Sequence, residues 1–351
     1  MITLFTPSFA DEANTNAQNL TAKEVISRLP PDRFKVILLG DGAADPRIRR
    51  RENTEVLSTA RHGNTARWLT QILLSKIDIY FFPRQGPLDS LFLFARRSFG
   101  LPVALVTYVV MAVDEIAISP TMTRAIRDAD SVVGNSRYVS QTIKDRFGTE
   151  TNTVYDGVDR VLFCPPVEGR PTKSRLSVLY VGSFQARKRV DVVIRQAAKW
   201  PSVEFRLLGK GEEEDNYRSL AAKLDCRNIT FVGHLSQQGV ANEMRHADVF
   251  LFPSILEGHP QVLGQAASCG LPAIAMQKYH PDYVVNGETG YLVESESELS
   301  EKLEVLLSDD NLRLKMSTAA VRHAGQFDWE RVTRDWQNIF ERAIHNRRNR
   351  L

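Results

Sequence analysis

The stretch that indicates the fold most clearly spans residues 252–272 and reads FPSILEGHPQVLGQAASCGLP. It predicts a strand that ends near Phe252, a loop that carries Glu257, and a helix of about ten residues with Pro260 at its first position. Gly270 is expected just past the helix end, and Pro272 prevents continuation. A strand followed by a loop and a helix is the repeating unit of a parallel α/β sheet.

The free N–H groups at the start of this helix, near Gln261 and Val262, predict an anion site at the carboxyl edge of the sheet. Gly258 would let the backbone approach a ligand closely. A carboxylate beside an anion site needs another partner, and the hydroxyl groups of a sugar would suit Glu257. The pattern therefore predicts a ligand that carries both phosphate and sugar.

A second candidate segment, VGSFQARKRVD, spans residues 181–191 and follows a predicted strand. It puts Arg187, Lys188 and Arg189 in a strand-to-helix loop near the same sheet edge, where cations could neutralise a diphosphate. Solvated basic side chains at a helix start are common, so this segment alone is weak evidence for a binding site. The Glu257 loop on the same sheet edge strengthens that interpretation.

Apolar runs typical of buried strands alternate with helical patterns along the whole chain. In the first half they cover residues 2–6, 34–40, 77–82, 102–106 and 131–134, and in the second half residues 177–182, 203–209, 229–233, 249–252, 272–276 and 291–293. Two doubly wound parallel-sheet domains are the expected result. A chain of 351 residues also exceeds what one core usually supports.

The predicted boundaries follow from composition. Residues 164–174 contain three prolines and a glycine without apolar periodicity, as inter-domain linkers do. We expect residues 1–163 to form the first domain and residues 175–327 the second. Residues 328–351 are expected to form a helix that returns to the first domain and buries Trp329 and Trp336, followed by a basic tail.

Charge and cysteine content exclude several classes of protein. The formal net charge is +3, and the last eleven residues, with four arginines and one glutamate, account for all of it. A neutral body lacks the positive face that nucleic-acid binding requires. Three widely spaced cysteines do not suit a disulfide framework or a Cys-x-x-Cys site.

The longest apolar run, residues 101–113, is too short to span a bilayer, and residues 1–10 lack the pattern of a signal peptide. We expect a cytoplasmic protein, with the arginines of the tail allowing weak peripheral contact at the inner membrane face. Residues 88–99 have a helical pattern that contains Phe92, Phe94 and Phe99 together with Arg96 and Arg97. Core packing is the default expectation for these rings, and a membrane-facing patch is the alternative.

With these motifs the chain resembles retaining glycosyltransferases of family 4, which have the GT-B architecture of two Rossmann-like domains facing a central cleft. The resemblance covers most of the second domain and includes residues 182–191, 231–235, 247–254, 257–272 and 286–293. In the first domain it is clear at residues 129–136, 155–159 and 163–165. It is faint before residue 100, where the resemblance implies that the acceptor is recognised.

The resemblance implies roles for individual residues. Lys188 matches the lysine that binds the diphosphate, and Glu257 matches the first glutamate of the Glu-x7-Glu motif, which contacts the transferred sugar. His234, after Gly233, matches the position beside the nucleotide base. The donor site it implies comprises Gly182, Ser183, Arg187, Lys188, Gly233, His234, Glu257, Gly258, His259, Pro260, Gln261, Val262 and Gln265.

Three positions depart from the family pattern. Ser183 replaces an arginine, whose charge Arg187 or Arg189 would then supply. Gln265 replaces the second glutamate of the motif and removes charge assistance from a ribose contact. The glycine pair near the start of the first domain is replaced by a segment that includes Asn14, Thr15 and Asn16, and the expected histidine is absent, with Tyr108 nearby. These last four residues are the acceptor-side candidates.

The resemblance implies transfer of a hexose-type sugar from a UDP- or GDP-sugar to the hydroxyl of a sugar, lipid-linked or small-molecule acceptor, without a metal ion or other cofactor. Two alternatives stay open at this point. A nucleotide-sugar epimerase of the same fold would convert the donor without an acceptor, and a degenerate relative would bind the nucleotide sugar without turnover.

Overall fold

The computed structural model describes residues 1–11, 17–58, 65–83, 86–167 and 174–351. The chain divides into two compact units. One comprises Met1–Asp156 together with Trp329–Leu351, and the other comprises Gly157–Asp328. Each unit is built on one parallel sheet.

The first unit has a seven-stranded sheet in the order β3-β2-β1-β4-β5-β6-β7. Its strands are β1 Ile2–Phe9, β2 Phe34–Gly40, β3 Thr54–Ser58, β4 Ile79–Phe81, β5 Ala104–Val109, β6 Ser131–Gly134 and β7 Thr151–Thr153. Its helices are α1 Ala17–Arg28, α2 Pro46–Arg49, α3 Thr65–Leu74, α4 Pro87–Ser98, α5 Pro120–Arg127, α6 Arg137–Phe147 and, at the end of the chain, α13 Trp329–Asn349.

Two apolar clusters cover this sheet, because neighbouring residues of a buried strand point to opposite faces. Leu4 and Phe81 belong to the cluster that includes α13, whereas Phe5 and Tyr80 belong to the cluster beneath α3, α4 and α5. Trp336 of α13 is fully buried, with its ring centroid 5.0 Å from that of Phe81 in an edge-to-face arrangement. The C-terminal helix thus completes the core of the first unit.

The second unit has a six-stranded sheet in the order β10-β9-β8-β11-β12-β13. Its strands are β8 Ser177–Val181, β9 Glu204–Leu208, β10 Ile229–Gly233, β11 Val249–Phe252, β12 Ala273–Met276 and β13 Gly290–Val293. Its helices are α7 Val190–Lys199, α8 Glu214–Lys223, α9 Gln237–His246, α10 Gln261–Ser268, α11 Glu296–Ser308 and α12 Asp310–Ala324. The strand order reverses between β8 and β11, which is where ligands bind in open α/β sheets.

The helix predicted after Pro260 is present and shorter than expected. Pro260 occupies the N-cap, so that α10 begins at Gln261 and ends at Ser268. Gly270 has a φ of +69°, the left-handed conformation that ends helices, as its position in the sequence predicted.

The chain enters the second unit earlier than residue 164. Phe163 is buried, and its carbonyl accepts a hydrogen bond from the Ser268 hydroxyl, so the preceding residues from Gly157 onward belong to the second unit. Val158 donates its N–H to the Phe327 carbonyl at 2.8 Å, at the other end of the same unit. Within the predicted linker, residues 168–173 lie outside the described residues. Among the helices that the structure describes, none is long and apolar enough to cross a membrane.

Candidate functional site at the carboxyl edge of the second sheet

The loops that follow β8 and β11 meet at the point where the strand order reverses. Lys188 ends the short 3-10 turn Ala186–Lys188 after β8, and Glu257 lies in the loop between β11 and α10. The Ile255 N–H donates to the Arg187 carbonyl at 3.0 Å, which joins the two loops through their backbones. The sequence predicted that these segments share a sheet edge, and the structure brings their side chains into contact.

Lys188 and Glu257 form a buried ion pair. The Lys188 ammonium donates to Glu257 Oε1, and the two side chains are 11% and 10% exposed. The Ser254 hydroxyl, which is fully buried, donates to the same oxygen at 2.6 Å. Lys188 Nζ also lies 5.1 Å from the centre of the Phe252 ring, within the range of a cation–π contact.

Arg187 adds a second cation from the same turn. Its Nη1 donates to the Leu256 carbonyl at 2.7 Å and to Glu257 Oε1 at 3.2 Å, while its side chain is 37% exposed. Two cations thus surround one carboxylate and leave a local excess of one positive charge. Such a site favours an anionic ligand.

Burial shifts the pKa values of groups in and around this ion pair. Desolvation lowers the pKa of Lys188, and the charge of Glu257 opposes that shift. Desolvation also raises the pKa of Tyr279, with a further contribution from Glu257. An arriving phosphate would favour the charged form of Lys188, so ligand binding and protonation of this lysine are coupled.

The first turn of α10 lies beside the Glu257 loop. Pro260 makes no side-chain cap, so the first N–H groups of the helix, at Gln261 and Val262, are of the kind that bind anions at helix N-termini. Gly258 precedes this turn and is buried. The predicted anion site therefore has its backbone donors and its cations on one sheet edge.

Other predicted donor-site residues lie along the same edge. Gly182 and Ser183 follow β8 and are partly buried, and Gly233 ends β10 with a φ of +85°. His234 is exposed directly after it. Gln265, on α10, donates to the Gln237 side chain at 3.3 Å.

His259 occupies a different environment from the rest of the site. Its ring is stacked on Tyr283 with centroids 3.9 Å apart, and the residue is 5% exposed. Burial lowers the pKa of His259 to about 3, so the ring is neutral. Its side chain is part of the core, which leaves the backbone as the part of His259 available to a ligand.

The structure distinguishes the two arginines that could replace the charge missing at Ser183. Arg189 Nε lies 3.3 Å from Asp191, and its Nη2 lies 3.7 Å from Glu296. Arg187 is the arginine that contacts the Glu257 loop. Arg187 therefore has the better position for this role.

The acceptor-side candidates receive less support. Tyr108 is 1% exposed, packs against Trp336, and donates its hydroxyl to Asp156 at 3.0 Å. Its position on β5 puts it in the core of the first unit, which argues against direct contact with an acceptor. Asn14, Thr15 and Asn16 lie outside the described residues.

Sequence reasoning did not identify two residues near Glu257. Ser254 lay within the motif, and its place directly after a strand was the available signal. Tyr279 is 1% exposed, and among the described residues its hydroxyl has no hydrogen-bond partner. No signal in the sequence connects Tyr279 with Glu257, because the electrostatic influence of Glu257 on Tyr279 depends on β12 lying beside β11. In the part of the chain that the structure describes, no group of three or more metal-ligating side chains comes together.

Comparison with known proteins supports the expected relationship. Residues 167–323 match the family model of glycosyl transferases group 1. The match spans the ion pair, the α10 turn and the other predicted donor-site residues. The match confirms the expected relationship to glycosyltransferases at the level of group 1, whereas membership of family 4 stays a prediction.

Curated relatives match part of the chain. The D-inositol 3-phosphate glycosyltransferase of Corynebacterium aurimucosum is 28% identical over 245 aligned positions, and the match covers 62% of this chain and 58% of that protein. An uncharacterised glycosyltransferase of Methanocaldococcus jannaschii is 25% identical over 220 residues, 62% of this chain and 61% of that one. The chain thus matches about three fifths of the length of these relatives.

Solved structures match nearly the whole chain. Anabaena HepE in complex with UDP has a TM-score of 0.80 at 18% identity and covers 96% of this chain and 99% of its own. A glycosyltransferase from Rickettsia africae has a TM-score of 0.80 at 16% identity and covers 98% and 99%. The predicted fold class, α/β with two Rossmann-like parallel-sheet domains as in GT-B proteins, is confirmed.

Proposed function

We propose that this protein is a retaining glycosyltransferase that transfers a hexose-type sugar from a UDP- or GDP-sugar to an acceptor hydroxyl. The observation that carries the proposal is the contact between Lys188 and Glu257 at the reversal of strand order, beside the first turn of α10. Cations and helix amides suit the diphosphate, and the carboxylate suits sugar hydroxyls.

In the proposed reaction, the bond between the anomeric carbon and the diphosphate breaks as the acceptor oxygen attacks from the same face. The departing diphosphate takes the acceptor proton, and negative charge grows on it in the transition state. Lys188 has three donors, so it can keep its bond to Glu257 and still donate to a phosphate oxygen. Preorganised donors of this kind stabilise charge that develops during the reaction.

Glu257 has a positioning function in this proposal. Lys188, Arg187 and Ser254 all donate to its Oε1, which leaves Oε2 as the oxygen better placed to accept hydroxyl groups of the sugar. The buried donors also hold the carboxylate in one orientation. A sugar bound through it would be presented with its anomeric carbon next to the cations.

The donor class is supported by the solved complexes, since HepE is described in complex with UDP and with UDP-glucose. For the acceptor we propose a sugar, a lipid-linked sugar or a small molecule, and we propose weak peripheral contact with a membrane. Neither a metal ion nor a nucleic acid enters the proposed reaction.

The test begins with thermal unfolding in the presence of UDP, GDP, ADP and their hexose conjugates, without metal. A ligand at about 100 times its Kd adds about 2.7 kcal/mol, a shift of a few degrees for a chain of this size. Release of nucleotide only after an acceptor is added would distinguish transfer from epimerisation. If no nucleotide sugar stabilises the protein, the donor site proposed here is wrong.

Variants then test the two roles. Lys188→Ala should lower kcat far more than it raises the donor KM, since leaving-group charge appears in the transition state. Glu257→Gln should bind nucleotide nearly as before and fail in sugar transfer. Lys223→Ala, at an exposed lysine in the last turn of α8, is the matched control. A pure KM effect at Lys188, or unchanged transfer by Glu257→Gln, would remove that residue from the mechanism.

A further inference from the structure

Two phenylalanines of the first unit point into solvent. Phe94 and Phe99, in and just after α4, are 58% and 75% exposed. Among the Phe, Tyr and Trp side chains that the structure describes, these two are the exposed ones, whereas Phe92 on the same helix is fully buried. Core packing therefore explains Phe92 and does not explain Phe94 and Phe99.

Exposed arginines lie on the helix that carries Phe94 and on the neighbouring helix. Arg97 lies on α4, and Arg124 and Arg127 lie on the neighbouring α5. The two helices are held together by a 2.9 Å hydrogen bond between the Ser90 and Thr121 hydroxyls. Leu93, Phe94, Arg97, Ser98 and Arg124 line a groove of about 470 Å³ between them. We call Phe94, Arg97, Phe99, Arg124 and Arg127 the α4–α5 surface.

The basic tail of the chain ends beside this surface. Arg347 of α13 donates to the Leu101 carbonyl, just after α4, with Nε and Nη2 at 3.0 and 2.6 Å. Arg350 donates to the Ala129 carbonyl, just after α5, at 3.0 Å. Arg348 remains exposed, as does Leu351 at 65%. Two basic segments that are far apart in sequence thus meet at the C-terminal ends of the same two helices.

The ion pairs that the structure shows at this end of the unit join Asp130 to Arg96 and to Arg350. Asp130 is buried and pairs with Arg96, which is also buried, and lies 3.3 Å from Arg350. Asp128, the partly buried C-cap of α5, is one carboxylate beside four exposed arginines, Arg97, Arg124, Arg127 and Arg348, so the surface keeps an excess of positive charge. Their combination with exposed aromatic rings is the composition of a surface that lies in a membrane interface.

We propose that the α4–α5 surface, extended by the end of α13, docks on an anionic lipid bilayer. The phenylalanine rings would enter the boundary between headgroups and acyl chains, and the arginines would contact lipid phosphates. This inference deepens the membrane contact in the proposed function and identifies the surface that makes it. It does not depend on which sugar is transferred.

The experiment is flotation of the full-length protein with vesicles of phosphatidylcholine, or of phosphatidylcholine mixed with phosphatidylglycerol. The protein should bind the mixed vesicles at about 0.1 M salt and be released at about 1 M, because the Debye length falls from ~10 to ~3 Å. The triple variant Arg97→Gln/Arg124→Gln/Arg127→Gln should bind roughly a hundredfold more weakly, about fivefold for each arginine. Phe94→Ser/Phe99→Ser should lose at least about tenfold.

Two controls match these changes in chemistry and exposure. Leu314→Ser replaces an apolar side chain that is 68% exposed, and Arg227→Gln replaces an arginine whose side chain is 86% exposed, both in the second unit. Neither should alter vesicle binding. Each variant should keep the thermal shift produced by nucleotide, which makes failure of this inference distinct from failure of the donor site.

Several results would overturn the proposal. One is absence of binding to phosphatidylglycerol vesicles, and another is equal binding by the wild type and the triple arginine variant. A third is a concentration-dependent dimer in solution that Phe94→Ser/Phe99→Ser abolishes while vesicle binding is absent. That last result would assign the surface to a second copy of the chain.

Discussion

The coupling between Lys188 and Glu257 can be measured by a double-mutant cycle of Lys188→Met and Glu257→Gln. Glu257→Gln leaves an ammonium group only about a tenth exposed without its counterion, which should cost about 3 kcal/mol of unfolding free energy. Lys188→Met should cost about 2 kcal/mol of unfolding free energy, since the carboxylate keeps its hydrogen bonds from Arg187 and Ser254. If the pair acts as one unit, the double variant should lose about 3 kcal/mol rather than about 5, a coupling of about 2 kcal/mol.

The assay is urea unfolding with hydrogen exchange read at the amides of β8 and β11, because a chain of two units need not unfold in one transition. Arg218 and Glu214 provide a matched control pair on the surface of α8, with side chains 49% and 24% exposed. Their coupling should be about 0.3–0.5 kcal/mol. Additive costs at Lys188 and Glu257, or a coupling no larger than that of the surface pair, would refute the buried ion pair.

Three further predictions concern the region around α10. The pKa of His259 is about 3 in the folded state and 6.5 in the unfolded state, so between these pH values the unfolded state binds more protons. The free energy of unfolding should therefore fall by about 2 kcal/mol as the pH drops from 6.5 to about 5. His259→Phe, which keeps a ring against Tyr283, should lack this loss in urea titrations at both pH values; an unchanged pH dependence would assign it to other groups. Gly264→Ala should cost about 1–3 kcal/mol, since a Cβ there would lie 2.4 Å from the Tyr283 ring, and a neutral result in thermal unfolding would mean that the ring can move. Gln265→Glu should tighten nucleotide binding about fivefold by calorimetry if this side chain reaches the ribose, whereas an unchanged Kd would mean that it contacts Gln237 instead.

Local sequence patterns accounted for the elements that carry the site. Phe252 ends a strand, Gly270 has the left-handed conformation, and Lys188 and Glu257 lie in loops at the same sheet edge, as predicted. These features follow from local periodicity and from the rule that parallel strands end at one edge. The length of α10 was overestimated by about two residues, because Pro260 acts as the N-cap and Cys269 as the C-cap.

The position of Tyr108 shows where such patterns fail. Tyr108 was an acceptor-side candidate because it lies near the position at which the resemblance implies a histidine after a strand. In the structure the aromatic rings of Phe82 and Trp336 surround it, and Trp336 comes from a helix more than 200 residues later in the chain. Burial by a distant segment has no local signature.

The sequence by itself determined two parallel-sheet domains and a sheet edge that carries Lys188 and Glu257, because strand and helix periodicity and loop chemistry are local properties of the chain. Only the tertiary structure decided that Lys188 pairs with Glu257, that Arg187 rather than Arg189 joins them, and that Tyr279 lies nearby. The same holds for the basic tail, which donates hydrogen bonds to the Leu101 and Ala129 carbonyls just after α4 and α5. These contacts depend on strand order and on helix packing, which bring together residues that no spacing along the chain relates.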